Sequence, residues 1–325
     1  MSVIIKTKLM LALKTLTPKP VIFRRTVRLM GDLFEISVVG KDPVWADERI
    51  DDAIAEINRV EKLLSTFSDE SSINEINRNA GVKAVKTDAE IFRLIDRSIE
   101  ISGLTHGTYD VTYYAPEKDK ENNAVSGIPQ NGKSKTASDR LNYLSVVLDA
   151  KELTVYLKEK GMRIGFGANC RGYAADRAKY ILQMNGVSSG VINSGGDLLT
   201  WGLRPDNEPW TVGTADPSQK SQPISDINIS NMAVATSVNA RVSTASITPK
   251  SFPVIKTPKG FPVSGIRSVT ILSPSAELSD SMATPVMAIG VNAGLYMVNQ
   301  LNQMACVIID DQNRLYTSKG INIAN

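Results

Sequence analysis

Histidine is almost absent from this chain of 325 residues, in which His106 is the only one. A single histidine excludes metal sites built from histidine clusters, and a Ser-His-Asp hydrolase would have to use His106 alone. Cysteine is nearly as scarce, since Cys170 and Cys306 are the only two and lack the paired spacing of zinc sites. The sequence therefore argues against triad hydrolases, zinc-stabilised domains and disulfide-stapled domains.

The chain also has little excess charge. Its 37 Lys and Arg against 34 Asp and Glu give a formal net charge of +3, too small to indicate a nucleic-acid surface. Basic residues are not interleaved with aromatic ones, as they are in proteins that bind single strands. No apolar run approaches the roughly 18 to 20 residues that span a bilayer. We expect no nucleic-acid partner and no membrane-spanning helix.

The N-terminus resembles a signal peptide only faintly, because lysines at positions 6, 8 and 14 interrupt its apolar segment. We expect residues 1–23 to be a separate segment, either a tether or a degenerate signal. Residues 24–325 are expected to form a single domain. Residues 117–138 are rich in Lys, Asn, Gly and Ser, a composition that predicts an exposed loop.

What the chain does contain is an ordinary globular composition, 42% hydrophobic and 22% charged. Apolar stripes at three- and four-residue steps predict helices over residues 45–64, 88–102 and 172–184. Short alternating segments predict more strands than helices. The fold class is therefore α+β, with mixed or antiparallel sheets and packed helices.

Residues 162–202 are the stretch around which the rest is arranged. They predict a strand, a glycine turn, a helix, a second strand and another turn at Gly195 and Gly196, followed by Asp197. Glycines allow a close approach of the backbone, and the N–H groups at a helix start can bind phosphate. Such glycine turns also serve as purely structural corners, and both interpretations remain open here.

Asp280 and Thr284 stand four residues apart on a predicted helix, so their oxygens lie on one face about a turn apart. A carboxylate and a hydroxyl without neighbouring His or Cys suit a hard cation such as Mg²⁺. The alternative is that Asp280 caps the helix and Thr284 faces solvent. Two other features have a similar ambiguity. Met30 is either core or a lid on a flat ring, and Asp110 with Thr112 is either a functional pair or a self-capping turn.

Six motifs in a fixed order resemble one known family. They are Met-Gly, Ser-Thr-Phe with a following Ser-x-Ile-Asn-x-Ile-Asn, Tyr-Asp-x-Thr, Gly-x-Gly-Ala-x-x-x-Gly-Tyr-Ala-Ala-Asp, Asn-x-Gly-Gly-Asp and Asp-x-x-x-Thr. From about residue 24 to residue 320 the chain resembles the FAD:protein FMN transferases, the ApbE family. This resemblance implies a T-fold-related α+β architecture. It also implies FAD as substrate, Mg²⁺ as cofactor, release of AMP, and attachment of FMN to a Thr or Ser of an acceptor flavoprotein.

The resemblance also implies roles for individual residues. The contacts to FAD would come from Met30, Phe67, Tyr109, Asp110, Val111, Arg171, Gly195 and Gly196. The metal ligands would be the main-chain carbonyl of Ala168 and the side chains of Asp280 and Thr284. Asp280 and Arg171 would be the catalytic residues. Kinship implies the outer face of the bacterial inner membrane, with the cytoplasm as the alternative because the N-terminus shows no clear export signal.

Several positions depart from the family pattern. Gly165 stands where the family has Asp, Arg171 where Lys is usual, and Val238 where it has Gly. Pro253 and Lys256 replace the family's His and Asp. Two hypotheses follow: an active flavin transferase, or a member that binds FAD or another nucleotide without transferring it.

Overall fold

The computed structural model describes residues 19–66, 71–114, 142–167, 169–215, 223–238 and 265–320. Phe67, Ala168, Pro253 and Lys256, and the predicted loop at 117–138, lie outside the described residues. The first strand begins at Val21, inside the segment that was expected to precede the domain.

The centre of the fold is an eight-stranded sheet in the order β1-β2-β8-β9-β12-β13-β14-β15. Every pairing within it is antiparallel. Its strands are β1 (Val21–Leu29), β2 (Asp32–Gly40), β8 (Gly190–Ser194), β9 (Asp197–Trp201), β12 (Ala233–Val238), β13 (Ile266–Ser273), β14 (Ala305–Asp310) and β15 (Leu315–Thr317).

Smaller sheets flank the large one. They are formed by β3 (Val85–Lys86), β6 (Thr154–Leu157) and β5 (Val146–Asp149), by β4 (Thr112–Tyr114) and β7 (Met162–Ile164), and by β10 (Thr211–Ala215) and β11 (Pro223–Asn228). Residues of and after β11 pack on the large sheet through an apolar cluster that includes Ile227, Ile229, Val234 and Leu272. Helices pack against the opposite face of the sheet through two further apolar clusters.

The helices are α1 (Pro43–Leu64), α2 (Ser72–Arg78), α3 (Ala89–Leu104), α4 (Asn169–Met184), α5 (Ala276–Ile289) and α6 (Val291–Val298), with a 3₁₀ turn at Asn142–Ser145. The predicted α+β class is confirmed. Helix α4 begins three residues before the predicted Gly172, because this glycine lies inside the helix against α5. A Cβ there would stand 2.5 Å from the Ala276 carbonyl oxygen.

Among the residues that the structure describes, no helix has the length and apolarity required to cross a lipid bilayer.

Candidate active site

The candidate site lies at one end of the large sheet, where β8 turns into β9 through Gly195 and Gly196. Both glycines have positive φ angles, 68° and 110°, which side-chain-bearing residues rarely adopt. A Cβ on Gly195 would stand 2.6 Å from Asp32 Oδ2. Gly195 therefore makes its close approach within the protein, to Asp32 at the start of β2, whereas a Cβ on Gly196 would meet no atom within 4 Å.

Asp197, the first residue after that turn, connects two strands of the sheet. The β9–β12 ladder ends where Leu198 pairs with Val234. One step further, Asp197 Oδ1 accepts a 3.1 Å hydrogen bond from the Thr236 N–H. The carboxylate thus takes the place of a missing ladder bond. In the sequence Asp197 stands in a motif that indicates no role for it, and its position directly after paired glycines is the only local signal.

Asp280 lies in the second turn of α5 and does not cap it. The cap is Ser275, whose hydroxyl accepts a 3.2 Å hydrogen bond from the Leu278 N–H. Asp176 of α4 also binds the start of the helix, accepting 2.9 Å bonds from the Ala276 and Glu277 N–H groups. The capping half of the alternative is therefore wrong, whereas Thr284 is exposed, as its other half expected. Asp280 Oδ2 is buried and accepts no hydrogen bond from the described residues.

The electrostatics of Asp280 differ from those of an ordinary surface acid. Burial, followed by the negative charge of Asp197, raises the pKa of its carboxyl, while the positive charge of Arg171 lowers it, and together they give a pKa of about 6. Burial likewise raises the pKa of Asp197, against the Thr236 hydrogen bond and Arg171. These groups are therefore near enough to influence one another. Arg171 itself keeps a buried Nε that has no hydrogen-bond partner among the described residues.

Thr284 follows Asp280 by one helical turn, as the spacing predicts. Its hydroxyl lies 2.9 Å from Ser237 Oγ on β12. We call Arg171, Asp197, Asp280 and Thr284 the sheet-end site. Sequence reasoning found three of its members, while it missed the contact with Ser237, which lies 47 residues away in the chain.

Met30 occupies the hairpin turn between β1 and β2, with a positive φ of 51°. Its side chain is partly buried against the main core, which agrees with the core interpretation. Its N–H donates a 3.4 Å hydrogen bond to Glu61 Oε2 at the end of α1. Glu61 in turn acts electrostatically on Cys170 of α4, whose thiol pKa is raised to about 11 mainly by burial. The hairpin turn therefore lies beside the start of α4.

The expected FAD-contacting triplet forms a turn between α3 and β4. The Tyr109 side chain packs against both large cores and its hydroxyl donates to Ser98 Oγ at 3.5 Å. Val111 is buried, so its side chain belongs to the core, and its carbonyl accepts a 3.0 Å bond from the Gly165 N–H. This bond connects the triplet to the turn that precedes α4.

Asp110 closes that turn on itself. Its Oδ1 accepts bonds from both the N–H and the hydroxyl of Thr112, at 2.8 and 2.7 Å. Its Oδ2 accepts a 3.2 Å bond from the Tyr143 N–H. The predicted pairing with Thr112 is confirmed, and it is at the same time the self-capping turn that stood as its alternative.

Two departures from the family pattern have a structural explanation. A Cβ on Gly165 would lie 2.9 Å from the Tyr113 ring, so an aromatic side chain fills the space where a longer residue would stand. Val238 follows Ser237 on β12, and successive side chains of a strand point to opposite faces. Its bulk is therefore directed away from the face that carries Thr284.

The described acidic side chains alone do not supply enough ligands for a metal ion at this site. Within the described ranges, no three His, Cys, Asp or Glu residues gather as a metal-binding group. The candidate set instead combines a carboxylate with a hydroxyl, and Ala168 lies outside the described residues. Mg²⁺ commonly takes one or two protein carboxylates and completes its shell with water and substrate phosphate. Asp280 and Thr284 fit that requirement.

Fold and site together define an α+β protein with an oxygen-rich candidate cation site at the end of an antiparallel sheet. A model described as the ApbE family matches residues 30–308, most of the chain. The protein belongs to the ApbE family.

Several curated relatives carry the name FAD:protein FMN transferase, and two of them illustrate the likeness. The one from Klebsiella pneumoniae (strain 342) is 22% identical, with 87% of this chain and 83% of the relative covered. The one from Treponema pallidum (strain Nichols) is also 22% identical, with 92% and 87% covered. The expected class, a transferase, agrees with these names.

The crystal structure of the ApbE protein from Thermotoga maritima matches with a TM-score of 0.74 at 22% identity, covering 92% of this chain and 97% of that one. At this identity the likeness shows the fold.

Proposed function

We propose that the protein is a FAD:protein FMN transferase, which cleaves FAD and attaches FMN to a Thr or Ser hydroxyl of an acceptor flavoprotein. Family membership supports the proposal, and one observation carries it to this chain: buried Asp280 Oδ2 accepts no hydrogen bond among the described residues. A buried charged oxygen without a partner costs folding free energy. A ligand that satisfies this oxygen would explain why the chain retains it.

Mg²⁺ suits these donors because it prefers hard oxygen ligands. The Cys170 thiol, on which Asp280 and Arg171 act, has its pKa raised to about 11, chiefly by burial, so it stays protonated and is a poor ligand. Asp280 and Thr284 would hold the Mg²⁺ ion, and the family resemblance adds the Ala168 carbonyl. When bound, Mg²⁺ would offset the negative charge of the FAD diphosphate and of the transition state.

Arg171 would bind the diphosphate from the start of α4. Its charge already acts on Asp197 and Asp280, so the guanidinium faces the sheet-end site. Its planar fork of donors can bind phosphate oxygens in pairs. In the reaction, the acceptor hydroxyl oxygen bonds to the FMN phosphorus and loses its proton. The bond from that phosphorus to the bridging oxygen breaks, and AMP leaves with that oxygen.

The test is incubation with FAD, Mg²⁺ and an acceptor protein that carries the target hydroxyl, with AMP and protein-bound flavin measured together. We expect Asp280→Ala to lower both rates by about 100-fold or more, equivalent to roughly 2.7 kcal/mol. Asp96→Asn, on the exposed face of α3, is the control and should match the unmutated protein. Unchanged AMP release by Asp280→Ala would contradict the proposal.

A second candidate function is FAD binding without transfer. The Tyr113 ring beside Gly165 favours it, because the family's acid cannot stand there without displacing the ring. Pro253 and Lys256, where the family has His and Asp, point the same way. Tight FAD binding with no AMP released during long incubation with Mg²⁺ and acceptor would support this function over the first.

A further inference from the structure

Two neighbouring residues of β12 each form a hydroxyl–hydroxyl hydrogen bond, on opposite faces of the strand. Thr236 Oγ1 lies 2.9 Å from Thr270 Oγ1, its register partner on β13. Ser237 Oγ lies 2.9 Å from Thr284 Oγ1 on α5. The first bond stays within the sheet, while the second joins the sheet to the helix that carries Asp280.

The bond between Ser237 and Thr284 is relevant to cation binding, because a hydroxyl that coordinates a cation needs an acceptor for its hydrogen. The hydroxyl binds the ion through a lone pair, and its hydrogen has to point to another acceptor. A bound cation also makes that hydrogen more acidic and so strengthens the bond to the acceptor. Ser237 Oγ is at the right distance to be this acceptor for Thr284.

Ser237 is itself held firmly. It pairs with Val269 of β13 in the antiparallel ladder. The preceding N–H, that of Thr236, donates to Asp197 Oδ1 at 3.1 Å, beyond the end of the β9–β12 ladder. Asp197 thus fixes the end of the strand on one side and β13 fixes it on the other, so the backbone of Ser237 is held beside α5.

We infer that Ser237 is a positioning residue of the sheet-end site: it accepts the hydrogen of the Thr284 hydroxyl and leaves the lone pairs of Thr284 Oγ1 free for a divalent cation. The inference rests on the proposed function, because it requires that Thr284 and Asp280 bind a cation. The competing explanation is a simple structural tie between β12 and α5, which would affect stability and leave cation affinity unchanged.

The experiment measures Mn²⁺ affinity without FAD, by following free Mn²⁺ with electron paramagnetic resonance in full-length protein. Outer-shell partners typically contribute about 10- to 100-fold to metal affinity. We expect Ser237→Ala to weaken Mn²⁺ binding by about 10-fold, and Ser237→Thr, which keeps the acceptor, to stay within about 3-fold of the unmutated protein. Thr270→Val is the matched control, since it removes the equivalent bond on the opposite face, and it should leave the affinity unchanged.

A double mutant distinguishes positioning from independent effects. Because Ser237 acts through Thr284, Ser237→Ala should weaken Mn²⁺ binding no further in a Thr284→Ala background. Thermal unfolding of each variant without metal measures the structural contribution separately. If Ser237→Ala does not fold, Ser237→Cys, whose sulfur is a weaker acceptor, takes its place in the comparison.

The outcomes separate the two proposals. Mn²⁺ binding by the unmutated protein with an unchanged affinity in Ser237→Ala overturns the inference alone, and so does a full additional loss in the double mutant. Absence of Mn²⁺ binding by the unmutated protein overturns both the inference and the metal-dependent function. A loss in Ser237→Ala that disappears in the Thr284→Ala background supports the inference.

Discussion

Two charged regions of the molecule differ in how completely their groups are paired. The first lies between α1, α3 and α4, and we call its members the helix belt: Glu56, Arg59, Glu90 and Arg177. Glu56 accepts 2.8 and 2.9 Å bonds from Arg59 and a 2.9 Å bond from Arg177. Arg59 also donates to both oxygens of Glu90, at 2.9 and 2.7 Å. The second region is the sheet-end site, where Asp280 Oδ2 and Arg171 Nε have no hydrogen-bond partner among the described residues.

Acidic residues and arginines therefore have different roles in the two regions. In the helix belt, hydrogen bonds from Arg59 lower the pKa of Glu90, and the two arginines lower that of Glu56 although burial opposes them. In the sheet-end site, burial raises the pKa of Asp280 to about 6. Paired charges stabilise the fold, whereas an unpaired buried carboxylate costs stability and is suited to a ligand that pairs it.

The largest stability effect is expected in the helix belt. Glu56→Ala leaves two arginines without their shared acceptor, and removing one partner of a buried pair is strongly destabilising. The side chains of Arg59 and Arg177 are 41% and 32% exposed, so water screens part of this loss. We expect the free energy of unfolding to fall by about 2 to 3 kcal/mol in urea titrations, with flavin transfer per folded molecule retained.

Glu48→Gln is the control for that variant, because the Glu48 side chain is 62% exposed. It should change the free energy of unfolding by less than about 0.5 kcal/mol. If Glu56→Ala and Glu48→Gln were equally stable, the helix belt would not contribute to the fold in the way its pairing indicates.

Much of the architecture could be predicted from local patterns. The stripe of α1 and the four-residue spacing of Asp280 and Thr284 depend on helix geometry alone, and the structure has both as predicted. The strand β11 and the helix α6 were not predicted. In the hairpin of β1 and β2, the alternating residues 26–39 around Met30 and Gly31 predict two short strands and their turn, whereas the strands extend from Val21 to Gly40.

The rest depends on contacts between distant parts of the chain. Ser237 meets Thr284 because β12 and α5 pack side by side, and Asp197 meets Thr236 because β12 continues beyond its last pair with β9, Val234 with Leu198. Neither relation has a local signal. Gly172 illustrates the same limit: it suggested a helix start, and its actual constraint is the carbonyl of Ala276 on another helix.

In the sheet-end site, by contrast, we expect a substitution to increase the free energy of unfolding. The folded pKa of Asp280 lies above its ordinary value of 3.8, so protonation favours the folded state. Its contribution to stability is fully present below the ordinary value and is lost as pH rises through about 6. Without metal at pH 7, Asp280→Asn should raise the free energy of unfolding by about 2 kcal/mol.

This gain in the free energy of unfolding should shrink as the pH is lowered to values at which the Asp280 carboxyl is protonated. Urea unfolding with a chelator present would measure it. Asp96→Asn, with the same substitution on an exposed helix face, controls for the change of side chain. Destabilisation by Asp280→Asn at pH 7 would mean that a partner within the protein, and not an absent ligand, satisfies the carboxylate.

The smallest expected effect completes the comparison. Glu90→Gln removes one charge of a pair whose side chains, Arg59 and Glu90, are 41% and 29% exposed, so we expect a loss of only about 0.5 kcal/mol at pH 7. Because the pKa of Glu90 is lowered, its stabilisation is present above the ordinary value and is lost as pH falls through the lowered one. The difference in free energy of unfolding between Glu90→Gln and the unmutated protein should therefore vanish on acidification, and high salt should reduce it at pH 7.

Acidification is thus expected to have opposite effects on the two variants: it removes the loss of stability caused by Glu90→Gln and the gain of stability caused by Asp280→Asn. Parallel urea titrations at three pH values would contradict the distinction between the two regions if both variants shifted stability in the same direction.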